Sequence, residues 1–282
     1  MTQPSSPQRT TSHQPKPGRL PTIYLPHGGG PWPFVELGFG PPGMWDGMRR
    51  YLENLVVSLP QQPRAIISVS AHWEEPVPTL GTAAHPPMLY DYYGFPEAAY
   101  RITWPAPGSP ELATRVAGLL AQAGIESGSD GKRGFDHGTF VPLKLAVPAA
   151  DIPTVQLSLI RGLDPARHIA LGRALAPLRD EGVLIVGSGM SYHNMRGFGR
   201  REALNDSQLF DGWMAEVVQK SAVERERALV DWAQGPAARA CHPREEHLLP
   251  LHVVAGAAGS DRATLPYRDR VMNVDVSAVH FG

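Results

Sequence analysis

Four short runs of apolar, largely β-branched residues stand out along the chain, each bounded by polar, glycine-rich or proline-rich stretches. Thr22–Leu25 (TIYL), Arg64–Ala71 (RAIISVSA), Thr154–Ile160 (TVQLSLI) and Val183–Ser188 (VLIVGS) are predicted as buried strands. Other segments carry the helical period. Met44 to Leu59 places apolar residues at Met44, Met48, Leu52, Leu55, Val56 and Leu59. Pro110–Ala123 reads as a helix with Ser109 as N-cap, Pro110 in the first turn and Gly124 as its stop. Asp164 and Pro165 open a second such helix that runs to about Asp180 and stops at Gly182. Because that helix lies between two apolar strands, Thr154 to Ser188 forms a strand–helix–strand unit, which predicts neighbouring or nearly neighbouring parallel strands. Leu204–Trp232 reads as one or two exposed helices, Arg244–Ala258 as a partly buried helix and Val271–Val279 as a final strand.

The first nineteen residues break this pattern. They are rich in Pro, Ser, Thr and Gln, hold His13, and read as a disordered tail over 1–19 preceding one domain over 20–282. No apolar run follows a basic start, so the tail is no secretory signal, and no stretch long enough to span a bilayer is present. Hydrophobic residues make up 42% and charged residues 19% of 282, an ordinary globular balance. A formal net charge of -1 gives no overall attraction to nucleic acid or to an anionic membrane. Cys241 is the single cysteine, so no intrachain disulfide forms, which fits a reducing, cytoplasmic setting. Its neighbour His242 raises a thiol nucleophile as an alternative to an inert thiol.

The histidines carry the chemistry. Three of the apolar strands run straight into histidine-bearing polar segments: Pro26-His27-Gly28-Gly29-Gly30-Pro31, Ser70-Ala71-His72-Trp73-Glu74 and Gly187-Ser188-Gly189-Met190-Ser191-Tyr192-His193-Asn194. Ligands of open α/β sheets bind beyond the carboxyl ends of the strands, so His27, His72 and His193 are placed to converge on one sheet edge. His137 lies in the turn-like Gly134-Phe135-Asp136-His137-Gly138, where a functional side chain and a surface-turn histidine are both open readings. His242, His247 and His252 are spaced by five. Five helical residues rotate about 140°, so at most one of the three points at a common site. His85, His168 and His280 have no such context and read as structural or surface residues. HGGG is also similar to an esterase oxyanion motif, but GSGMS lacks the register of a nucleophile elbow.

Together PHGGGP, SVSAHWE, YGFPEAAY with PAPGSPELA, GFDHGTFVPL, DIPTVQLSL, GSGMSYHN and HPREEHLLPLHVVAGAAG resemble, in order and over nearly the whole chain after the tail, the DOPA-dioxygenase-like branch of the class III extradiol ring-cleavage dioxygenases, the superfamily of protocatechuate 4,5-dioxygenase. The resemblance implies a single α/β domain, a central mostly parallel sheet flanked by helices, and a metal site at one end of that sheet. It implies an enzyme that opens a catechol ring with O2. His27, His72 and His247 match its metal ligands. His193 matches its acid/base histidine, which some members use as a ligand, and His137 matches a further active-site histidine. Fe(II) is the metal expected for turnover, and three imidazoles also suit Zn²⁺. Better-known members use two histidines and a carboxylate, so Glu245 and Glu246, which flank His247, are alternative ligands. Tyr92, Tyr93 and Phe95 are expected either to line the substrate pocket or to pack in the core. Arg196 and Arg244 lie near the motifs as possible partners for a substrate carboxylate. A non-enzymatic metal-binding or protein-interaction relative of the same fold is the alternative function.

Overall fold

The computed structural model describes residues 18–36 and 41–282. Most of the expected tail, with His13, falls outside them. The strands are β1 (Thr22–Pro26), β2 (Ala65–Glu75), β3 (Thr79–Gly81), β4 (Gly128–Asp130), β5 (Thr154–Ile160), β6 (Val183–Gly189), β7 (Ala263–Val271) and β8 (Val274–Phe281). The helices are α1 (Asp46–Asn54), α2 (Pro110–Gln122), α3 (His137–Ala146), α4 (Pro165–Leu175), α5 (Glu202–Val218), α6 (Ala222–Val230), α7 (Ala238–Cys241) and α8 (Leu249–Ala258).

One eight-stranded sheet has the order β4-β3-β5-β2-β6-β1-β8-β7. Its centre, β5-β2-β6-β1, is parallel throughout, and β8 and β7 extend it as an antiparallel hairpin. The strand–helix–strand reading holds in its looser form, because β5 and β6 are parallel with β2 between them. All seven residues of β5 and all seven of β6 are buried, as a central strand covered on both faces requires.

Register shows what covers each face. Tyr24 pairs with Gly187 and Leu25 with Ser188, so Tyr24 and Ser188 point to opposite faces. Thr22 Oγ1, on the Tyr24 face, donates to Val254 O of α8. Ser188 Oγ, on the other face, donates to Gly138 O of α3. The sheet is therefore sandwiched between α8, which α4 backs, and α3, which α1 backs. The apolar core runs through both layers, from Ile23, Ile66 and Ile185 to Val253 on one side and Phe140 on the other.

Several boundaries depart from the sequence reading. The helix expected over Arg244–Ala258 begins only at Leu249, and every residue of it is buried rather than partly buried. Arg244 to Leu248 is a turn that Pro243 and Pro250 help keep out of helical geometry. His137, expected in a turn, is the first residue of α3, whose N-cap Asp136 accepts a hydrogen bond from Thr139 N. The expected final strand is two strands, with the chain reversing at Met272 and Asn273 in left-handed backbone.

Candidate metal centre

β1, β6 and β2 end at one level: Pro26 pairs with Gly189, and Ser70 pairs with Ser188. His27 follows directly, its N–H donating to Gly189 O. The chain then turns away through Gly28 in left-handed backbone, where a Cβ would sit 2.6 Å from Trp32. His72 is not beyond a strand, as its polar neighbours imply, but inside β2. There the pairing with β5 shifts register between Val69 and Glu74. Such an irregularity re-aims a side chain, and here the imidazole faces His27. His193 lies four residues past β6, its N–H donating to Cys241 O. His247 arrives from the turn before α8. Its carbonyl accepts hydrogen bonds from Met190 N at 3.1 Å and from Tyr24 Oη at 2.8 Å.

The imidazoles meet. His72 Nε2 lies 3.1 Å from His27 Nε2 and 3.2 Å from His247 Nε2, and the ligating atoms of this trio are all within 4.8 Å of one another. His193 stacks on His247 with ring centroids 3.3 Å apart, and the His137 ring is 4.0 Å from that of His72. His242 and His252, by contrast, are structural: His242 Nε2 donates to Ser191 O and His252 Nε2 to Leu229 O. One of the three evenly spaced histidines therefore reaches the site, although they sit on different elements rather than on one helix.

The outer nitrogens fix the tautomers. Ser188 Oγ gives its proton to Gly138 O, so it can only accept from His27 Nδ1–H, at 3.0 Å. His247 Nδ1 and His193 Nδ1 each donate to Glu246 Oε1 at 3.0 Å. His137 Nδ1 donates to Asp91 Oδ1 at 2.7 Å, and Asp91 Oδ2 stands 3.6 Å from His72 Nδ1. Asp91 escaped the sequence reading, and Glu246, read there as an alternative ligand, instead bridges two imidazoles. Asp91 sits in no recurring pattern; its only signal was its adjacency to Tyr92. Beneath them buried Asp136 holds Ser70 of β2, Gln156 of β5 and Arg133, and Arg133 in turn donates to His72 O.

Burial, and then the proximity of the other imidazoles, pushes His27 and His247 well below the usual histidine range. The same causes lower His72 to about 3 against the opposing pull of Asp91. All three are thus neutral, and the Nε2 lone pairs of His27 and His247 both turn toward His72 Nε2. Lone pairs at that spacing repel unless a cation lies among them. Two nitrogens each about 2.0–2.1 Å from one tetrahedral ion lie about 3.3 Å apart, close to the two distances from His72 Nε2. The donor set therefore fits a divalent metal. Burial raises the carboxyls of Asp91 and Glu246, but their histidine hydrogen bonds outweigh it and leave both below the usual range, ionised.

A cavity of about 550 Å³ opens onto the cluster, lined by His27, His72, His137, His193 and His247 and by Tyr92, Tyr93 and Phe95 as expected. Arg196 is exposed and not part of its wall. Arg244, paired with Glu74 at 2.6 Å, is absent from this wall but lines a neighbouring cavity with His72, His193, Glu246 and His247. Both serines of GSGMS are buried, Ser188 Oγ donating to Gly138 O and Ser191 Oγ accepting from Ser277 N, and neither lines this cavity beside the HGGG segment. Cys241 is buried, and desolvation pushes its thiol up to about 12, which makes it inert.

A central parallel sheet with an imidazole cluster at its carboxyl edge, under an aromatic-lined cavity, is the architecture of a ring-opening dioxygenase. A model of the family described as the catalytic LigB subunit of aromatic ring-opening dioxygenase matches residues 22–277, and the chain belongs to that family, the class III extradiol dioxygenases. It is 42% identical over 207 residues to 4,5-DOPA dioxygenase extradiol of Beta vulgaris, covering 71% of this chain and 75% of that one. It is 37% identical over 286 residues to dioxygenase tasH of Hapsidospora irregularis, covering 94% and 86%. It also superimposes on the crystal structure of an uncharacterized protein from Escherichia coli K12 with a TM-score of 0.76 at 32% identity, covering 94% of this chain and 100% of that chain. Family membership and the assembled site set aside the non-enzymatic alternative. Among the described residues no helix is long and apolar enough to cross a membrane.

Proposed function

We propose that this chain opens a catechol ring with O2 using Fe(II) held by His27, His72 and His247, with His193 and His137 handling protons. The observation that carries the reading is the convergence of three neutral Nε2 atoms within 4.8 Å, with the outer nitrogens of His27 and His247 committed to hydrogen bonds. Bound there, Fe(II) supplies Lewis acidity toward the catechol oxygens and a route for electrons between ring and O2.

The protein residues do the rest. His193 donates from Nδ1 to Glu246, so its Nε2 is free to take a catechol hydroxyl proton and later return it. His137, oriented in the same way by Asp91, presents Nε2 as a hydrogen-bond partner for a bound oxygen. Tyr92 and Phe95, packed edge to face, offer an apolar wall against which a flat ring stays put and water is excluded. An all-imidazole set leaves the ion its full charge and also accepts Zn²⁺.

Anaerobic loading with Fe(II), elemental analysis after dialysis, and a visible-absorbance screen of catechols test the reading. One ion per chain and yellow ring-opened products are expected. A chain that retains neither Fe(II) nor Zn²⁺ would sink the assignment of these ligands.

A further inference from the structure

We propose that the catechol this enzyme takes carries an uncharged, apolar ring substituent rather than a carboxylate. The inference rests on the ring-opening reading above and concerns the far end of the same cavity. Beyond the five imidazoles, the only charged side chain in the described lining is Asp91, an anion. The rest of the wall is apolar and grades from buried to open. Met190 is 3% exposed, Trp45, Phe198 and Met272 are half-buried, and Met195 and Tyr93 at the rim are 71% and 91% exposed. These are placed rings and chains rather than loose surface. Trp45 packs on Trp32 at 5.3 Å and Phe198 on Tyr192 at 5.2 Å, while Met272 O accepts from Gly199 N at 2.7 Å.

The nearby arginines are committed or outside. Arg244 is held by Glu74 and Glu246 and lines a neighbouring cavity with His72, His193 and His247 rather than this wall. Arg133 is held by Asp136 and lies over the Trp73 ring. Arg196 is exposed and contributes nothing to the wall. A substrate carboxylate against this wall gives up water and meets no cationic side chain of Lys or Arg among the described residues, with Asp91 nearby. An alkyl or aryl substituent instead covers Met190, Phe198 and Met272, and each buried methylene improves binding about fourfold. Three methionines add an adaptable surface that accepts substituents of differing shape.

The test uses catechols with short side chains of different charge: 4-propylcatechol, 3-(3,4-dihydroxyphenyl)propanoate and dopamine. Calorimetry on the Zn²⁺-loaded protein reads binding, and kcat/KM on the Fe(II)-loaded protein reads turnover. We expect 4-propylcatechol to lead the carboxylate by at least about tenfold in both, and to lead dopamine as well. Met195→Lys, on the exposed rim, should narrow the gap to the carboxylate by about two- to fivefold at low salt. A carboxylate that binds and reacts as well as the propyl compound overturns the inference, as does a preference for dopamine, which would make Asp91 a cation site. If Fe(II) protein opens none of these rings, the catalytic reading falls, while the Zn²⁺ affinities still decide the inference on the cavity.

Discussion

A single carboxylate oxygen, Glu246 Oε1, accepts from both His193 and His247, and this shared anchor separates what the two rings are free to do. The Nε2 of His247 is turned to His72, whereas that of His193 has no hydrogen-bond partner among the described residues, and His193 lines the cavity. His193→Ala should therefore keep most of the bound metal and lose about 10²–10⁴-fold in kcat. His27→Ala should lose metal and turnover together. Metal content and steady-state rates on one catechol separate the outcomes; equal metal loss in both variants makes His193 a ligand. At this scale, His27, His72 and His193 were legible from their place beside apolar strands, and His247 and His137 only through resemblance. Asp91 was not legible, because its bond to His137 spans 46 residues and leaves no local pattern.

Among the elements, the contact between β6 and the turn before α8 decides how well the site is held. A Cβ on Gly189 would lie 2.1 Å from His247 O, the carbonyl that Met190 N and Tyr24 Oη already pin. Gly189→Ala must push that turn outward and carry the His247 imidazole with it. Metal affinity is expected to weaken about 10–100-fold, the range for lost support behind a ligand, with far-ultraviolet circular dichroism retained. An unchanged affinity would show that the turn moves without the ring. The central strands were readable because burial on both faces makes them continuous apolar runs. The caps of α2 and α4 were readable because Ser109 and Asp164 do accept from Leu112 N and Arg167 N. What stayed hidden has equally physical causes. β7 is an edge strand whose Arg268, Asp269 and Arg270 face solvent, and β3 and β4 have three residues each. α3 contains Pro142 and Gly138, which mask its helical period.

Across the whole molecule, histidine burial ties stability to pH. Desolvation lowers His168 to about 4, His242 to about 3 and His252 to about 4. His168 is locked neutral, since its Nε2 accepts from Ile160 N and its Nδ1 donates to Asp164 O. Unfolded, each titrates near about 6.5. Below that value the unfolded chain binds protons that the folded chain refuses, so this stability is complete above about pH 6.5 and is lost as pH falls toward about 3–4. Each group contributes up to about 1.4 kcal/mol per pH unit in that window. The urea midpoint of the metal-free protein should accordingly drop steeply from pH 7 to pH 5; a flat profile would mean that these rings already take up protons in the fold.

Closure of the molecule rests on buried Arg179. Its guanidinium donates to Leu20 O at 2.7 Å and Ala257 O at 3.1 Å and pairs with Asp261 at 2.5 Å, joining the strand-leading segment at one end to α8 and the last hairpin at the other. The trio of imidazoles is spread just as widely, with His247 lying 175 residues after His72. At about 5–20 residues per second, a ribosome needs about 10–35 s to make that stretch. Throughout that interval the nascent chain offers two histidines of the three. Under the ligand set proposed above, metal capture would be a late event in the life of each molecule, completed only once His247 has been made and its carbonyl has docked on Met190 N.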